Sequence, residues 1–550
     1  MSNDVHPVQE ADPDPIEATL AASQPKAWIC LSTLAAWTVV ADLTLFRSHG
    51  FSGPALFFAV VPLFFLIPFQ RSHKLSVIIV SCLLWIVAAK LAFSGTAWLV
   101  VAAVTLTAAL AMAWSGVPPL VMETLTFCGS AFVDGFRWCL GFSFSRNGKL
   151  RRAPSETDQN HMRALSLVIP AAAILVFGSI FISANPNLSE WTSLRLSEIG
   201  ERVTAWLEGV SVWELPFCVM AFAGGAGLLF SVLPKPLYGP PETKLPLASV
   251  QQSPLYAAYR NTLVSLIALF GIYLAFEFST LWWRDFPDGF YYAGYAHHGA
   301  AWLTVALALA TGLLSLVFSG SMRGDQQRLP RLKQLAWIWS AQNFLLAAAV
   351  YNRLAIYVGY NGMTRLRTVG FFGITVVVVG FILVLIKITH RRSFWWLIRG
   401  QLIALALTII AYLAFPVDYV AHRYNTNQVA SGYLHPAVMI AVKEKDDSGV
   451  LPMLDLVNCD DPIIREGVRA MLAQQMINLE QRDQVTATRS RLRNSTGTKK
   501  PWHWTRHQAA RSILQQRLIQ NDATWRAYYD GSMNRADAME KFRVYAMQWY

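Results

Sequence analysis

The sequence predicts an all-α fold: a polytopic transmembrane helical bundle of about eleven spans, followed by a C-terminal soluble helical domain. Three observations predict it. Hydrophobic residues are 54% of the 550 and charged residues only 15%, whereas soluble domains run about 45–50% and about 25%. The apolar residues gather in blocks over about 390 positions, and a single soluble core stops growing near roughly 250–300 residues. The blocks are continuous rather than alternating, which excludes a barrel. Each is close to the roughly 20 residues that a helix needs to cross a bilayer core about 30 Å thick.

Residues 1–26 are polar and acidic (Asp4, Glu10, Asp12, Asp14, Glu17) and read as a disordered lead-in. A secretory signal would need a basic start and a short apolar core. The helical domain occupies 27–416, with spans expected at 27–46, 51–69, 75–93, 95–115, 164–184, 214–233, 261–283, 299–320, 334–357, 368–388 and 400–416. Pro54, Pro62 and Pro68 make the second a candidate for a break or kink. The stretch 117–142 is apolar but holds Glu123, Asp134 and Arg137, and is expected to be an interfacial or re-entrant helix. The six cysteines show neither a disulfide framework nor Cys-x-x-Cys metal spacing.

Loop charges give the orientation. With the N-terminus in the cytoplasm, the inner segments hold twenty Lys and Arg and the outer loops six. Cytoplasmic loops carry this excess in membrane proteins. The net charge of +12 is therefore read as topology, not as nucleic-acid binding. The localisation expected is the bacterial plasma membrane, with the N-terminus cytoplasmic and the tail, 417–550, extracytoplasmic.

The outer segment 185–213 repeats Trp191, Leu194, Ile199, Val203, Trp206 and Val210 at helical spacing, with acidic residues on the other face. It reads as an amphipathic helix on the protein's own surface or as a partner site. In the tail, helices are expected over 461–476, 504–519 and 533–549. Residues 482–517 are strongly basic, with Asp483 the one acid, and Arg493 to Lys500 reads as a loop.

Ionisable residues in spans are costly and point to function. Asp42, Lys90, Glu277 and Arg353 all fall toward the outer ends of their spans. They form either structural pairs, Asp42–Lys90 and Glu277–Arg353, or a polar pocket that opens outward together with Arg365 and Arg367. Asp285, Asp288, His297 and His298 lie in an aromatic-rich outer loop, but their spacing matches no zinc pattern and no metal is expected. Gln342 and Asn343 are expected to hydrogen-bond a neighbouring helix. Asn361-Gly362 signals a tight turn.

The tract Tyr295-Ala-His-His-Gly-Ala-Ala-Trp302, with Asn352-Arg353-Leu354, Tyr360-Asn-Gly-Met-Thr-Arg-Leu-Arg367 and Arg423-Tyr424-Asn425, resembles a family of bacterial multi-pass membrane proteins. These carry a domain of unknown function numbered 4173, with a related one numbered 4153. The resemblance covers roughly 250–430, and family members usually have Leu where Met363 stands. It implies a bacterial plasma-membrane protein and no particular activity.

Three functions fit. One is an envelope scaffold, sensor or regulator acting on the outer face, whose partners are membrane lipid and, at the tail, an anionic envelope polymer or a protein. A second is a transporter of a small or lipid-like substrate. A third is a transferase using a lipid-linked donor, with Asp42, Asp285 and Asp288 as candidate acids. No Walker loop, dinucleotide fingerprint, nucleophile elbow or HExxH is present, and no cofactor is expected.

Overall fold

The computed structural model describes residues 27–48, 50–66, 74–140, 142–144, 150–152, 213–230, 256–279, 303–314, 329–390, 392–495 and 503–549, with Ser197 and Phe318 standing alone. The 164–184 span, the 185–213 helix, the Arg493–Lys500 loop beyond residue 495, and Asp285, Asp288, His297 and His298 lie outside the described residues.

The described elements are helices, apart from a short antiparallel hairpin, β1 (Phe142–Phe144) with β2 (Leu150–Arg152). The bundle helices are α1 (Ala27–Ala41, continued by a π-helical turn Asp42–Phe46), α2 (Ser52–Leu66), α3 (Lys74–Ser94), α4 (Ala97–Trp114), α5 (Val121–Leu140) and α6 (Glu214–Phe230). They continue with α7 (Tyr256–Glu277), α8 (Leu303–Leu314), α9 (Leu329–Asn361), α10 (Arg365–His390) and α11 (Phe394–Ala414). Five of these, α3, α4, α7, α10 and α11, are long and apolar enough to cross a membrane. The other helices of the expected bundle are shorter or carry charge. Pro62 does not break α2, which runs through it.

Contacts along the helices fix their directions. Trp37 Nε1 donates to Ala221 O at 3.1 Å, and the Phe46 and Phe217 rings lie 5.1 Å apart, so α1 and α6 are antiparallel. The α5–α6 crossing is closer still. A Cβ on Gly135 would sit 1.8 Å from Ala223 O, and one on Gly227 would sit 1.7 Å from Ala131 O. Ala131-xxx-Gly135 faces Ala223-xxx-Gly227, the small-residue spacing that lets membrane helices approach backbone to backbone. The same pairings make α5 antiparallel to α6. At its start, Glu123 is buried and pairs with Arg399 of α11 at 3.2 Å. From Val121 the 117–142 region is one helix, and its buried Glu123 finds a partner 276 residues away.

In the second half, α7 and α9 run parallel. Gln342 Nε2 donates to Ile267 O at 2.9 Å, and ten residues further along α7 Glu277 Oε1 accepts from Arg353 Nε at 2.6 Å. The interhelical bond of Gln342 is as the sequence predicts. Asn343 Nδ2 instead bonds Trp339 O in its own helix. Helix α11 packs against α10 on one side and α3, α4 and α5 on the other, joining the two halves.

The tail contains α12 (Val417–Ala430), α13 (Ala437–Val442), α14 (Asp447–Val450), a 3-10 turn (Leu451–Leu456), α15 (Pro462–Ser495), a second 3-10 turn (His503–Arg506), α16 (Ala509–Gln520), α17 (Arg526–Tyr529) and α18 (Arg535–Met547). Asp461 caps α15, accepting from the Ile463 and Ile464 N–H groups at 2.8 and 3.1 Å, with Pro462 at the first helical position, where its missing donor costs nothing. Ile464, Val468 and Leu472 form its buried stripe, which meets Leu514, Leu518, Trp525 and Phe542. A Cβ at Gly467 would meet Phe542 Cβ at 2.2 Å, so glycine there admits the α18 ring. This is a water-driven core, where each large side chain contributes about 1.5–3 kcal/mol.

The tail sits on one end of the bundle. Ser52 at the start of α2 donates to His507 O, the 503–506 turn packs on α2, and α16 packs on α3. The α1–α2, α3–α4 and α9–α10 connections share this end, and α1 begins at the opposite one.

Candidate functional site

The densest polar cluster among the described residues lies where the α9–α10 turn meets the tail. Gly362 makes the turn with φ +81°, a conformation that glycine adopts without strain. The buried Asn425 side chain grips the next residue at both ends. Its Oδ1 accepts from Met363 N–H at 2.6 Å, and its Nδ2 donates to Met363 O at 2.9 Å. A Cβ on Gly362 would stand 2.6 Å from Asn425 Oδ1 and 2.9 Å from Pro436 Cβ, so the fit also needs glycine's size. Arg367 closes the turn by donating to Asn361 O at 2.7 Å and to Gly362 O, with its guanidinium 4.0 Å from the Tyr357 ring centroid.

Helix α12 presents Asp418, His422 and Asn425 on one face, at helical spacing. Asp418 takes a two-pronged ion pair from Arg365, Nε to Oδ1 at 2.5 Å and Nη2 to Oδ2, and accepts the Asp446 backbone N–H at 2.8 Å. Asp446 then caps α14, accepting from Gly449 N–H at 2.9 Å and Ser448 Oγ at 2.6 Å. Gly449 packs on Asp418, His422 and Lys445, where an added Cβ would be tight, at 3.0–3.2 Å from their side chains. Lys445 Nζ donates to Ile440 O at 2.6 Å. Lys90, at the end of α3, lies in the field of Asp446 and Asp418.

Burial, with the charges of Lys445 and Arg365, brings His422 down to about 4 against the pull of Asp418, and its Nδ1 is buried without a partner. Burial lowers Lys445 to about 8, again opposed by Asp418. For Asp418 itself, burial works upward. The bonds from Arg365 and the Asp446 N–H and the nearby positive charge outweigh it and hold the carboxyl below the usual range.

The residues singled out from sequence separate into three groups. Asp42 pairs with Arg47 at 2.8 Å, and Arg47 also reaches Glu214 at 2.6 Å. Asp42 thus pairs with Arg47, where the sequence suggested Lys90, and its Oδ1 is buried without a partner. The π-helical turn sets this up by curling Arg47 back onto Asp42, with its N–H on Asp42 O at 3.0 Å. Lys90 Nζ lies 5.5 Å from the Phe93 ring centroid. Glu277 and Arg353 pair directly, Nε to Oε1 at 2.6 Å and Nη2 to Oε2, and Tyr273 donates to Glu277 Oε2 at 2.9 Å. Arg365 and Arg367 belong to the tail junction. No group of three or more His, Cys, Asp or Glu among the described residues is placed to hold a metal ion.

Sequence reasoning missed Asp418, His422, Lys445 and Asp446. The available signal was Asp418, two residues past Pro416 and on the same helical face as Asn425 of the family-like Arg423-Tyr424-Asn425.

Residues 32–441 match the family described as a domain of unknown function, DUF4153. The chain belongs to the DUF4153 family. Of the two numbers suggested by the motifs, 4153 is the one found. The match begins within α1 and runs past α12 into α13, so it takes in both sides of the junction. No curated protein and no solved structure matches the chain.

Proposed function

We propose that this DUF4153 protein is a scaffold or regulator of the bacterial plasma membrane whose tail is held rigidly on the outer end of the bundle to meet partners. The observation that carries this reading is the junction itself. The family-like motifs Tyr360–Arg367 and Arg423–Asn425 use their polar groups to fasten the tail to the turn.

Loop charge supports the outer placement. With 137–213 counted on the outer side, the connections at the end opposite the tail hold fourteen Lys and Arg and those at the tail end hold twelve, an excess in the expected direction. Helix α5, at 20 residues and about 30 Å, crosses beside α6. Eleven helices, α1 to α11, then alternate in direction, and 141–213 begins and ends on the outer side. The 164–184 segment is not needed to make the number odd.

Single cysteines at Ser72, Ser145 and Ser431, in a variant lacking the native cysteines, test this topology with a membrane-impermeant maleimide on intact cells. Labelling is expected at positions 145 and 431 and not at 72. Protection of position 145 would return α5 to one side of the membrane. The functional test is complementation of a gene deletion. Asp418→Ala with Arg365→Ala, which removes the ion pair of the junction and loosens the tail, is expected to abolish complementation while the protein remains in the membrane. Full complementation would remove the scaffold reading.

The buried Glu277–Arg353–Tyr273 group favours transport as the second reading. Liposome flux that Glu277→Gln leaves unchanged would exclude it. A transferase role rests on Asp42, whose Oδ1 is unpartnered, and an active Asp42→Asn variant would end it.

A further inference from the structure

We propose that the 3-10 turn His503–Arg506 and helix α16 form a contact surface for the headgroups of anionic phospholipids in the leaflet next to the tail. The inference rests on the bundle being embedded in a bilayer, and not on which face is outside.

Placement is the first support. Ser52 opens the apolar helix α2 and donates to His507 O. A helix as apolar as α2 has its end near the bilayer interface, so the chain at His507 runs at headgroup level. Trp98, the second residue of the apolar helix α4, is 72% exposed at the same end of the bundle, as expected of an interfacial aromatic.

The exposed side chains are the second support. Helix α16 turns Ala510, Leu514 and Leu518 toward the tail core. Ile513 and Ile519 remain 43% and 57% exposed, and Trp504, three residues before His507, remains 39% exposed. In water these side chains gain nothing. At the bilayer edge such exposed apolar and aromatic side chains sit favourably among the headgroups.

Charge is the third support, and it selects the lipid. From 484 to 521 the sequence has eight Lys and Arg and no Asp or Glu. Arg511 is drawn toward Asp447, while Arg517 stands exposed on α16. An exposed arginine on the same helix as Ile513 and Ile519, in a stretch of sequence this basic, favours phosphodiester groups with net negative charge over zwitterionic ones.

The test attaches an environment-sensitive fluorophore to Ile513→Cys, in the full chain freed of its native cysteines, with Ile519→Cys as a second position. The protein is reconstituted in vesicles of phosphatidylcholine alone or mixed with phosphatidylglycerol. A blue shift is expected with phosphatidylglycerol, reversed by salt and lost in Arg506→Gln/Arg517→Gln, which weakens the contact about fivefold for each cation removed. Equal emission in both vesicles, or an unchanged response in the double variant, overturns the proposal. A larger shift from soluble dextran sulfate than from phosphatidylglycerol also overturns it, in favour of a polyanion partner. Failure of the protein to float with either vesicle would instead overturn the membrane reading beneath it.

Discussion

Two ion pairs, each an arginine with a buried carboxylate, do different work in this protein. Glu277–Arg353 joins α7 to α9 inside the bundle, with both side chains at most 5% exposed and Tyr273 completing the group. Asp418–Arg365 joins the tail to the bundle. Its carboxylate is 6% exposed, but its arginine is 51% exposed, and the carboxylate also holds a tail backbone N–H. The first pair has no water to retreat to if broken, and the second does. An ion pair's worth thus depends less on its partners than on where each goes when the pair is lost.

The sharpest way to break the comparison is Glu277→Gln, which leaves Arg353 charged, buried and short of its partner. A loss of about 3–5 kcal/mol is expected, read as a lower thermal midpoint in detergent. Glu277→Leu with Arg353→Leu should recover most of it. Equal losses for the single and double variants would mean that the pair is not the structural unit.

The next effect is pH-dependent and confined to the tail. His422 sits near 4 because of burial first and then the charges of Lys445 and Arg365, whereas an unfolded histidine titrates near about 6.5. Between those values the unfolded tail binds a proton that the folded tail does not. The His422 contribution to tail stability is therefore fully present above about pH 6.5 and falls as the pH drops toward about 4, by up to about 3 kcal/mol. Asp418, whose value is lowered, adds its own loss only below about pH 4. Tryptophan-monitored unfolding between about pH 5 and about pH 7 should show the slope, and His422→Gln should flatten it.

Asn425→Ala removes both bonds to Met363 and leaves a buried backbone pair unsatisfied, a loss of about 1–3 kcal/mol, seen as faster proteolysis of the tail. Arg365→Gln should cost least, about 1 kcal/mol, since its exposed side chain is screened by water. If Arg365→Gln matched Glu277→Gln, the contrast between the two pairs would collapse.

The bundle was legible from sequence because membrane burial writes itself as local apolar runs. α3, α4, α10 and α11 fall within a few residues of their expected places, apart from α11 beginning six residues early. The packing of α5 was not legible because Glu123 looks out of place until Arg399, far along the chain, is seen beside it. Asp42 was matched with Lys90 for want of knowing that Arg47 curls back through a π-helical turn. Glu277–Arg353 was found because two charges in neighbouring spans have few other partners. The residues of the junction were hidden for the opposite reason. In a polar tail, Asp418, His422, Lys445 and Asp446 are ordinary, and only the fold brings them against Arg365. The Asn361-Gly362 turn was legible, since its chemistry is local.

The α5–α6 crossing has a consequence for how the protein is made. Trp37 of α1 is bonded to Ala221, 184 residues later, and the Gly135 and Gly227 contacts admit no other seating. The first five helices emerge into the membrane well before α6 exists. Until Phe230 has been synthesised, their small-residue seam has nothing to close against, so the N-terminal half is a waiting structure whose keystone arrives last.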